Sequence, residues 1–501
     1  MHSTVPAALL AAFLSTAAVM PAGAADITPS QADALQGRMQ SWLRGVLGPD
    51  LGPTLQVRAE GDHYRIESPF GSPRAGQPGP VTLSASARPA DDGRWTFEGP
   101  ELPSPAHFTM NLPAAPGNGT APGVPTPVEY TITAGSQDSR GTYDPSFATP
   151  STITSTGRDI QVRAQSASVD QLTKIGQSSS TSTLRPSGTD RADLMGENTT
   201  EGYASVSRPQ DGQPTEISAQ HAQGTVQISA LSRDQAATML PAVIRIASSF
   251  LVAAPSRGAA PVPSAMVDPQ TLHTILQSLH GLASGFAMDQ TFDGVAMRSG
   301  THGGAASQFR IGMKAKSDGG LLQASMDLGL DGLVLSDPAL GAMADLLPTK
   351  VALRPVLTGI STEEALRWLD AMGDAKKGAR PPGFATLFRH AGVSAGLESF
   401  AIAVGGANFA GTGKLTTVSG GELAGQAQIT ASNFDDLIAR VNAVPELAGV
   451  LPAFIFAKGV SQTVGGRLVW NLTYRDNKLL VNGTDLSAMT GQPSAGGMPS
   501  R

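Results

Sequence analysis

Three segments of the chain share one pattern of hydrophobic and polar positions: strict alternation followed by apolar residues at helical spacing. They are Gln227–Gln235, Val356–Glu364 and Gln428–Asp436. In each segment the alternation meets a Ser or Asn, and acidic or amide residues occupy what would be the first helical turn. The pattern predicts a β-strand that runs directly into a capped amphipathic helix. Its repetition is typical of a β-rich scaffold rather than of an active site.

The second half of the chain has the clearest strand signals. Apolar residues at every second position predict a hairpin from Phe309–Ala315 and Leu322–Leu330, with its turn at 317–320. Leu468–Tyr474 and Leu479–Val481 predict another hairpin at the end of the chain. Each of these strands has one apolar and one polar side, which is the pattern of an antiparallel sheet with one face in water.

The first half begins with an amphipathic helix, predicted over Ser30–Leu47, and continues as strands separated by turn residues. The predicted strands are Thr54–Glu60, His63–Ser68, Val81–Ala87, Arg94–Glu98, Val128–Thr133, Asp159–Val169 and Thr215–Ala230. The Ser/Thr-rich stretch Ser178–Ser187 is predicted to be a mobile loop. Further helices are predicted over Arg233–Val252, Asp268–Ala283, Pro338–Leu347 and Thr362–Lys376.

Together these elements predict an α+β fold that is β-rich, with extended, curved antiparallel sheets covered incompletely by short helices. The 501 residues exceed the size of a single core, so more than one packing unit is expected. The predicted divisions are a signal peptide (1–25), an N-terminal β-rich half (26–253), a linker (254–264), a C-terminal α+β half (265–487) and a disordered tail (488–501).

The N-terminus has the features of a secretory signal. An apolar run from Val5 to Met20 precedes small residues that suit cleavage near Ala24 or Ala25. No later stretch is apolar for long enough to predict a membrane-spanning helix, so no transmembrane span is expected after signal cleavage. Export of a large chain without cysteine favours a bacterial periplasm.

Composition excludes several classes of function. The net charge of -6 offers no basic surface for nucleic acid, so no nucleic-acid partner is expected. The absence of cysteine excludes disulfides, cysteine-ligated zinc or iron–sulfur sites, cysteine nucleophiles and a lipidated N-terminal cysteine. Gly 57 and Pro 37 are high counts, and aromatic residues make up only 5%, as expected for strands and turns around small-residue cores.

Three motifs resemble functional signatures, but each lacks a necessary part. Gly392–Gly396 matches a nucleophile elbow, yet a strand is predicted after it and the last histidine, His390, precedes the serine. His273 and His280 share a predicted helix without the further ligands that zinc requires. Gly411–Leu415 resembles a phosphate loop but lacks the upstream glycine and the magnesium-binding hydroxyl. We therefore predict no catalytic, cofactor-binding or metal-ligating residue, and no cofactor.

Acidic residues occur in pairs at two predicted helix starts. Glu363 and Glu364 form one pair, and Asp435 and Asp436 form the other. Negative charge in a first helical turn is stabilised by the helix dipole, which explains both pairs without catalysis.

One part of the chain resembles a known family. The segments Gly425–Ile438, Pro445–Leu447 and Leu479–Leu486 resemble the bacterial periplasmic domain-of-unknown-function family "twenty-one twenty-five", and more distantly the AsmA-like envelope proteins. The resemblance covers 321–486 best and is thin before Thr215. It implies an exported, β-rich protein and transfers no catalytic residue.

The sequence therefore predicts a periplasmic, non-enzymatic envelope binder or scaffold that uses an apolar sheet face for lipid or an envelope protein. The basis is that one-sided strands outnumber the helices that can cover them. Two alternatives stay open: an envelope hydrolase that uses paired carboxylates, and an adhesin or assembly scaffold built from repeated β-units.

Overall fold

A computed structural model describes residues 27–47, 55–70, 81–90, 94–112, 126–144, 149–210, 212–232, 284–375, 391–418, 422–476 and 478–486. The chain divides into two compact units, residues 1–303 and 304–501. Both are β-rich with antiparallel strand pairing and few short helices, which confirms the predicted fold class. The predicted signal peptide, linker, tail and the two helices between 233 and 283 lie outside the described residues.

Unit 1 contains one described helix and a series of antiparallel strands. Their bounds are α1 Pro29–Leu47, β1 Gln56–Glu60, β2 His63–Phe70, β3 Val81–Pro89, β4 Trp95–Glu101, β5 Ala106–Leu112, β6 Thr126–Thr133, β7 Ser136–Asp144, β8 Thr149–Gln165, β9 Val169–Pro186, β10 Arg191–Pro209, β11 Thr215–Ser232 and β12 Gly285–Ser299. The pairing order is β1–β2–β3–β4–β7–β8–β9–β10–β11–β12, and the β5–β6 hairpin joins the free half of β8.

Helix α1 covers the first strands of unit 1, as its amphipathic pattern predicts. Its buried Leu35 and Met39 join the core that also contains Tyr64 and Trp95. Gln36 on the same helix accepts a hydrogen bond from the backbone N–H of Val57 at 3.0 Å. Helix and sheet are therefore held together by apolar packing and by bonds to backbone groups at the start of β1.

The prediction of a loop over Ser178–Ser187 is wrong, because these residues belong almost entirely to β9. Their hydroxyls bond across the sheet; Ser179 Oγ, for example, lies 2.6 Å from Thr199 Oγ1 on β10. The predicted strand Asp159–Val169 is also wrong in its bounds, since β8 ends at Gln165 and β9 begins at Val169. Side chains that pair with each other across strands stabilise a strand that has no apolar alternation.

Unit 2 also consists of antiparallel strands with short helices. Its elements are β13 His302–Asp318, β14 Leu321–Asp331, β15 Val334–Ser336, a 3-10 helix Pro338–Leu346, β16 Pro348–Ser361, α2 Thr362–Ala375, β17 Ser394–Val404, β18 Ala407–Thr417, β19 Leu423–Ser432, α3 Phe434–Asn442, a 3-10 turn Pro445–Leu447, α4 Leu451–Gly459, β20 Gln462–Val464, β21 Arg467–Arg475, β22 Lys478–Val481 and β23 Thr484–Asp485. The order β13–β14–β16–β17–β18–β19–β21–β22 includes both predicted hairpins.

Helices α3 and α4 cover one end of this sheet. The buried Phe434 contacts Phe409, Phe454 and Trp470, with ring centroids 5.7–6.0 Å apart. The indole N–H of Trp470 donates to the Ala457 carbonyl at 2.7 Å. The predicted side-chain cap at Asn433 is wrong: this residue has φ 56 and makes no capping hydrogen bond. The acidic first turn and the helix that it starts are as predicted.

The turn after β22 is held by the side-chain amide of Asn482. Its Nδ2 donates to the carbonyls of Val460 and Val469, at 2.8 and 3.0 Å, and its Oδ1 accepts from the N–H of Asn471 at 2.9 Å. Its φ of 49 lies in the left-handed region, which asparagine tolerates better than most residues. One side chain therefore joins the end of α4 to β21 and to the last hairpin.

We expect Asn482→Asp to lower the free energy of unfolding by about 2–3 kcal/mol, because a carboxylate would face two carbonyls that now receive N–H groups. Urea denaturation of the purified protein measures the change. Asn408→Asp on the exposed side of β18 makes the same chemical change and is expected to have little effect. Equal losses in the two variants would contradict the assigned role of Asn482.

Candidate functional site

The register of unit 2 sorts its side chains onto two faces. Residues directly opposite each other in neighbouring strands point to the same side of a sheet. The apolar face, as we name it, is continuous from β13 to β21. Its larger members are Ile311, Met313, Met326, Leu328, Leu353, Leu357, Leu397, Phe400, Leu415, Leu472 and Tyr474. The polar face carries the alternate residues.

The apolar face is buried at its two ends and only half-buried between them. Near α3 and α4, Phe409, Ile429 and Leu468 pack against the cluster around Phe434. Near the start of α2, Leu322, Ile360 and Val393 are buried. Between these ends, the side chains of the middle rows, such as Leu357, Leu397 and Leu415, are only half-buried.

Small residues form part of the same strip. Gly411, Gly413, Gly425 and Ala427 occupy apolar-face positions on β18 and β19. A Cβ at Gly411 would lie 2.6 Å from Cε1 of Phe400, so the glycine leaves room for that ring on the neighbouring strand. The register shift on β17 between Leu397 and Phe400 lies opposite Gly413 and Gly411, and it marks a β-bulge in this strand.

The polar face carries a row of alternating charges. Arg354 on β16 lies between Asp327 on β14, at 2.6 Å, and Glu398 on β17, at 3.6 Å. The hydrogen bond to Asp327 raises the pKa of the Arg354 guanidinium. Lys350, 2.9 Å from Asp331, holds the pKa of that carboxyl below its ordinary value. The contact with Lys350 therefore favours the ionised form of Asp331 and not the protonated form that a general acid needs.

A trough of about 710 Å³ lies on the polar face next to this row. Five neighbouring strands line it: β16, β17, β18, β19 and β21. Its polar side chains are Thr358, Ser394, Glu398, Thr412, Lys414, Gln426, Gln428, Asn471 and Thr473. The sequence alone does not reveal this site, because its residues come from five separate segments and only the register brings them together.

The motifs singled out in the sequence have structural explanations where the structure describes them. Ser394 of the elbow-like motif begins β17, is buried, and lies 2.7 Å from the Thr358 hydroxyl. Gly411–Leu415 lies inside β18 and is not a phosphate-binding loop. His273, His280 and His390 lie outside the described residues.

The acidic pairs lie where the sequence predicts, in the first turns of α2 and α3. Asp435 forms an ion pair with Lys458 on α4. Within the described ranges, no group of three or more His, Asp or Glu residues is arranged to hold a metal ion. The helices of the described residues are all too short or too polar to cross a membrane.

Comparison with known proteins adds no relative to this geometry. No protein-family model, curated protein or solved structure matches the chain. The resemblance to the periplasmic family therefore stays a prediction, and function has to be argued from the two faces of unit 2.

Proposed function

We propose that this chain is a non-enzymatic protein of the bacterial periplasm that binds the acyl chain of a lipid on the apolar face of unit 2. The observation that carries the proposal is the half-buried middle strip, in which apolar side chains of seven neighbouring strands follow one another. Contiguous apolar surface of this kind is typical of sites that bind a hydrophobic partner.

The dimensions of the strip favour an acyl chain. Seven strands at a spacing of about 4.8 Å span about 29 Å across the sheet. One leaflet of a bilayer holds acyl chains over about 15 Å, half of the hydrocarbon core, so a single chain fits along the strip with room to spare. Gly413 and Ala427, which are paired across β18 and β19, keep the side chains short there, which lets an elongated ligand approach the backbone.

The chemistry of the strip favours hydrocarbon over a polar ligand. Its side chains are aliphatic, aromatic or thioether groups from Met313 to Tyr474, while the charged groups of the same strands point to the other side. Burying a ligand carboxylate, sugar or peptide group on this side would leave it without hydrogen-bond partners, at a cost of several kcal/mol. Hydrocarbon has no such cost.

The test is mass spectrometry of organic extracts from mature protein purified from the periplasm without detergent. We expect lipid at close to one molecule per chain. Leu357→Asp puts a charge into the strip and is expected to reduce the bound lipid at least tenfold. The matched control is Val356→Asp: it changes the neighbouring residue, also half-buried, whose side chain lines the polar trough.

Thermal unfolding of both variants separates loss of lipid from loss of fold. A folded Leu357→Asp that retains its lipid contradicts the site, and a monodisperse wild-type protein with a lipid-free extract contradicts lipid binding altogether. Wild-type protein that self-associates without lipid supports the adhesin or assembly scaffold instead.

A further inference from the structure

We infer that the polar trough of unit 2 is a second binding site, for an acidic oligosaccharide. The trough lies on the side of the sheet opposite to the apolar face, so this inference is independent of the proposed lipid site. It starts from the unused hydrogen-bonding groups of the trough.

Four polar side chains of the trough are available to a ligand. Thr412 and Lys414 on β18, Gln426 on β19 and Thr473 on β21 make no side-chain hydrogen bond or ion pair with another described residue. They are neighbours, since Lys414 is paired with Gln426, and Gln426 with Thr473, across adjacent strands. By contrast, the polar residues around them are partly engaged: Gln428 donates to Asn471 at 2.9 Å, and Glu398 faces Arg354.

Lys414 is the one cation among the described residues that line the trough, and it lies on the central strand of the five. Opposite it on β17 is Gly396, which has no side chain to fill the space beside the ammonium group. Glu398, the carboxylate in the described lining of the trough, is engaged by Arg354, and no carboxylate of the described residues forms an ion pair with Lys414. Lys414 can therefore neutralise one anionic group of a bound ligand.

The shape suits an elongated ligand. Five strands at about 4.8 Å give a length of about 19 Å, and two alternate residues on each strand give a width of about 7 Å. This is room for a chain of several linked sugar rings lying across the strands.

The mixture of groups favours sugar over other polymers. Hydroxyl and amide side chains both donate and accept hydrogen bonds, as the hydroxyls of a sugar do. Nucleic acid would need many cations, whereas the described lining of this trough contains one. An extended peptide binds along the edge of a sheet, through unpaired backbone groups, and this site lies on a face of paired strands. A sugar chain with one carboxylate or phosphate group satisfies both the neutral groups and Lys414.

The experiment measures binding of the full mature protein to an array of tri- to pentasaccharides that carry a carboxylate, a phosphate or no charge. We expect acidic members to bind more tightly than their uncharged counterparts, and the two acidic groups on the array to show which anion is preferred. Isothermal titration then gives the affinity for trigalacturonate, as the carboxylated probe, and for the best phosphorylated member. A folded protein that binds no acidic oligosaccharide on the array overturns the inference.

Three variants test the site. Lys414→Gln is expected to lower the affinity for acidic oligosaccharides by roughly tenfold, because it removes a single charge-assisted contact. The affinity for uncharged oligosaccharides should change little. Thr412→Trp fills the trough without changing its charge and is expected to abolish binding of both classes. Lys478→Gln makes the same charge change on β22, outside the trough, and is expected to leave affinity unchanged.

Equal losses in Lys414→Gln and Lys478→Gln would show non-specific attraction to positive charge and overturn the site. Unaltered binding by a folded Thr412→Trp would do the same. Leu357→Asp, the variant for the lipid site, is expected to bind oligosaccharide normally, so failure of one proposal is distinguishable from failure of the other.

Discussion

Replacing Trp95 with alanine is expected to lower the stability of unit 1 by about 3–5 kcal/mol, the range observed when a fully buried indole is truncated. The side chain is 0% exposed and belongs to the core beneath α1. Its ring stacks on that of Tyr64, with centroids 5.7 Å apart. The Tyr64 hydroxyl in turn donates to Gln31 of α1 at 3.1 Å, so the cavity would disturb both the sheet and its covering helix.

Hydrogen–deuterium exchange of the full chain, measured by mass spectrometry at increasing urea, reports the effect on each unit separately. Trp95→Ala should speed exchange in β2, β3 and β4 and leave the strands of unit 2 unchanged. Met195→Ala, at a site 41% exposed on β10, is the surface control and should change little. A Trp95→Ala protein whose β2–β4 peptides exchange like those of the control would contradict this description of the core.

A loss of about 3–5 kcal/mol is a large part of the free energy of unfolding of a typical domain, which is about 5–15 kcal/mol. Aromatic residues are only 5% of the chain, yet the core beneath α1 contains Tyr64, Trp95, Phe97 and Tyr143. The few large rings therefore contribute an unusual share of the burial. In unit 1 they form two stacked pairs, Tyr64 with Trp95 and Phe108 with Tyr130.

The burial of these rings also affects the tyrosine hydroxyls. Burial raises the pKa of Tyr130 to about 12, because the phenolate would lose its hydration inside the sheet. The pKa of Tyr64 is raised for the same reason. Both hydroxyls therefore stay protonated at neutral pH, and the Tyr64 hydroxyl remains a hydrogen-bond donor to Gln31.

The strands that the sequence predicts well are those whose two sides differ in polarity. Leu322–Leu330 and Leu468–Tyr474 alternate in hydropathy because one side of each strand belongs to the apolar face of unit 2 and the other side belongs to the polar face. This alternation, with a period of two residues, can be recognised in the sequence of each strand taken alone. The helix over 30–47 is predicted for the corresponding reason, since one stripe of it packs on the sheet.

β9 shows where this reasoning fails. Between 176 and 183 its residues are mostly serine and threonine on both sides, so hydropathy has no period there. What makes the segment a strand is its pairing with β8 and β10 over its full length. That pairing joins residues distant in the sequence, and composition alone predicts a loop instead.

The two candidate sites also differ in whether the sequence predicts them. The apolar face could be predicted as a property of single strands, because each contributes its own alternation. The polar trough could not, since Lys414, Gln426 and Thr473 become neighbours only through the registers of three strands. A shift of one residue in either register would move these side chains to opposite faces.

Phe434→Ala is expected to lower the stability of unit 2 by about 3–5 kcal/mol and to detach α3 and α4 from the sheet. The ring is 5% exposed and contacts three other aromatic rings, from β18, α4 and β21. Phe456→Ala makes the same substitution on α4, at a ring that is 42% exposed, and it should lower the stability of unit 2 far less. Hydrogen–deuterium exchange in α3, α4 and β21 measures the difference in stability between the two variants.

The Phe434 variant also separates the two ends of the apolar face. If α3 and α4 come away, the residues they cover, including Phe409 and Ile429, join the middle strip and enlarge the exposed apolar surface. Binding of a hydrophobic dye should then rise in Phe434→Ala but not in Phe456→Ala. Dye binding that stays at the wild-type level, with fast exchange confined to the helices, would show that these helices are not what covers this end of the sheet.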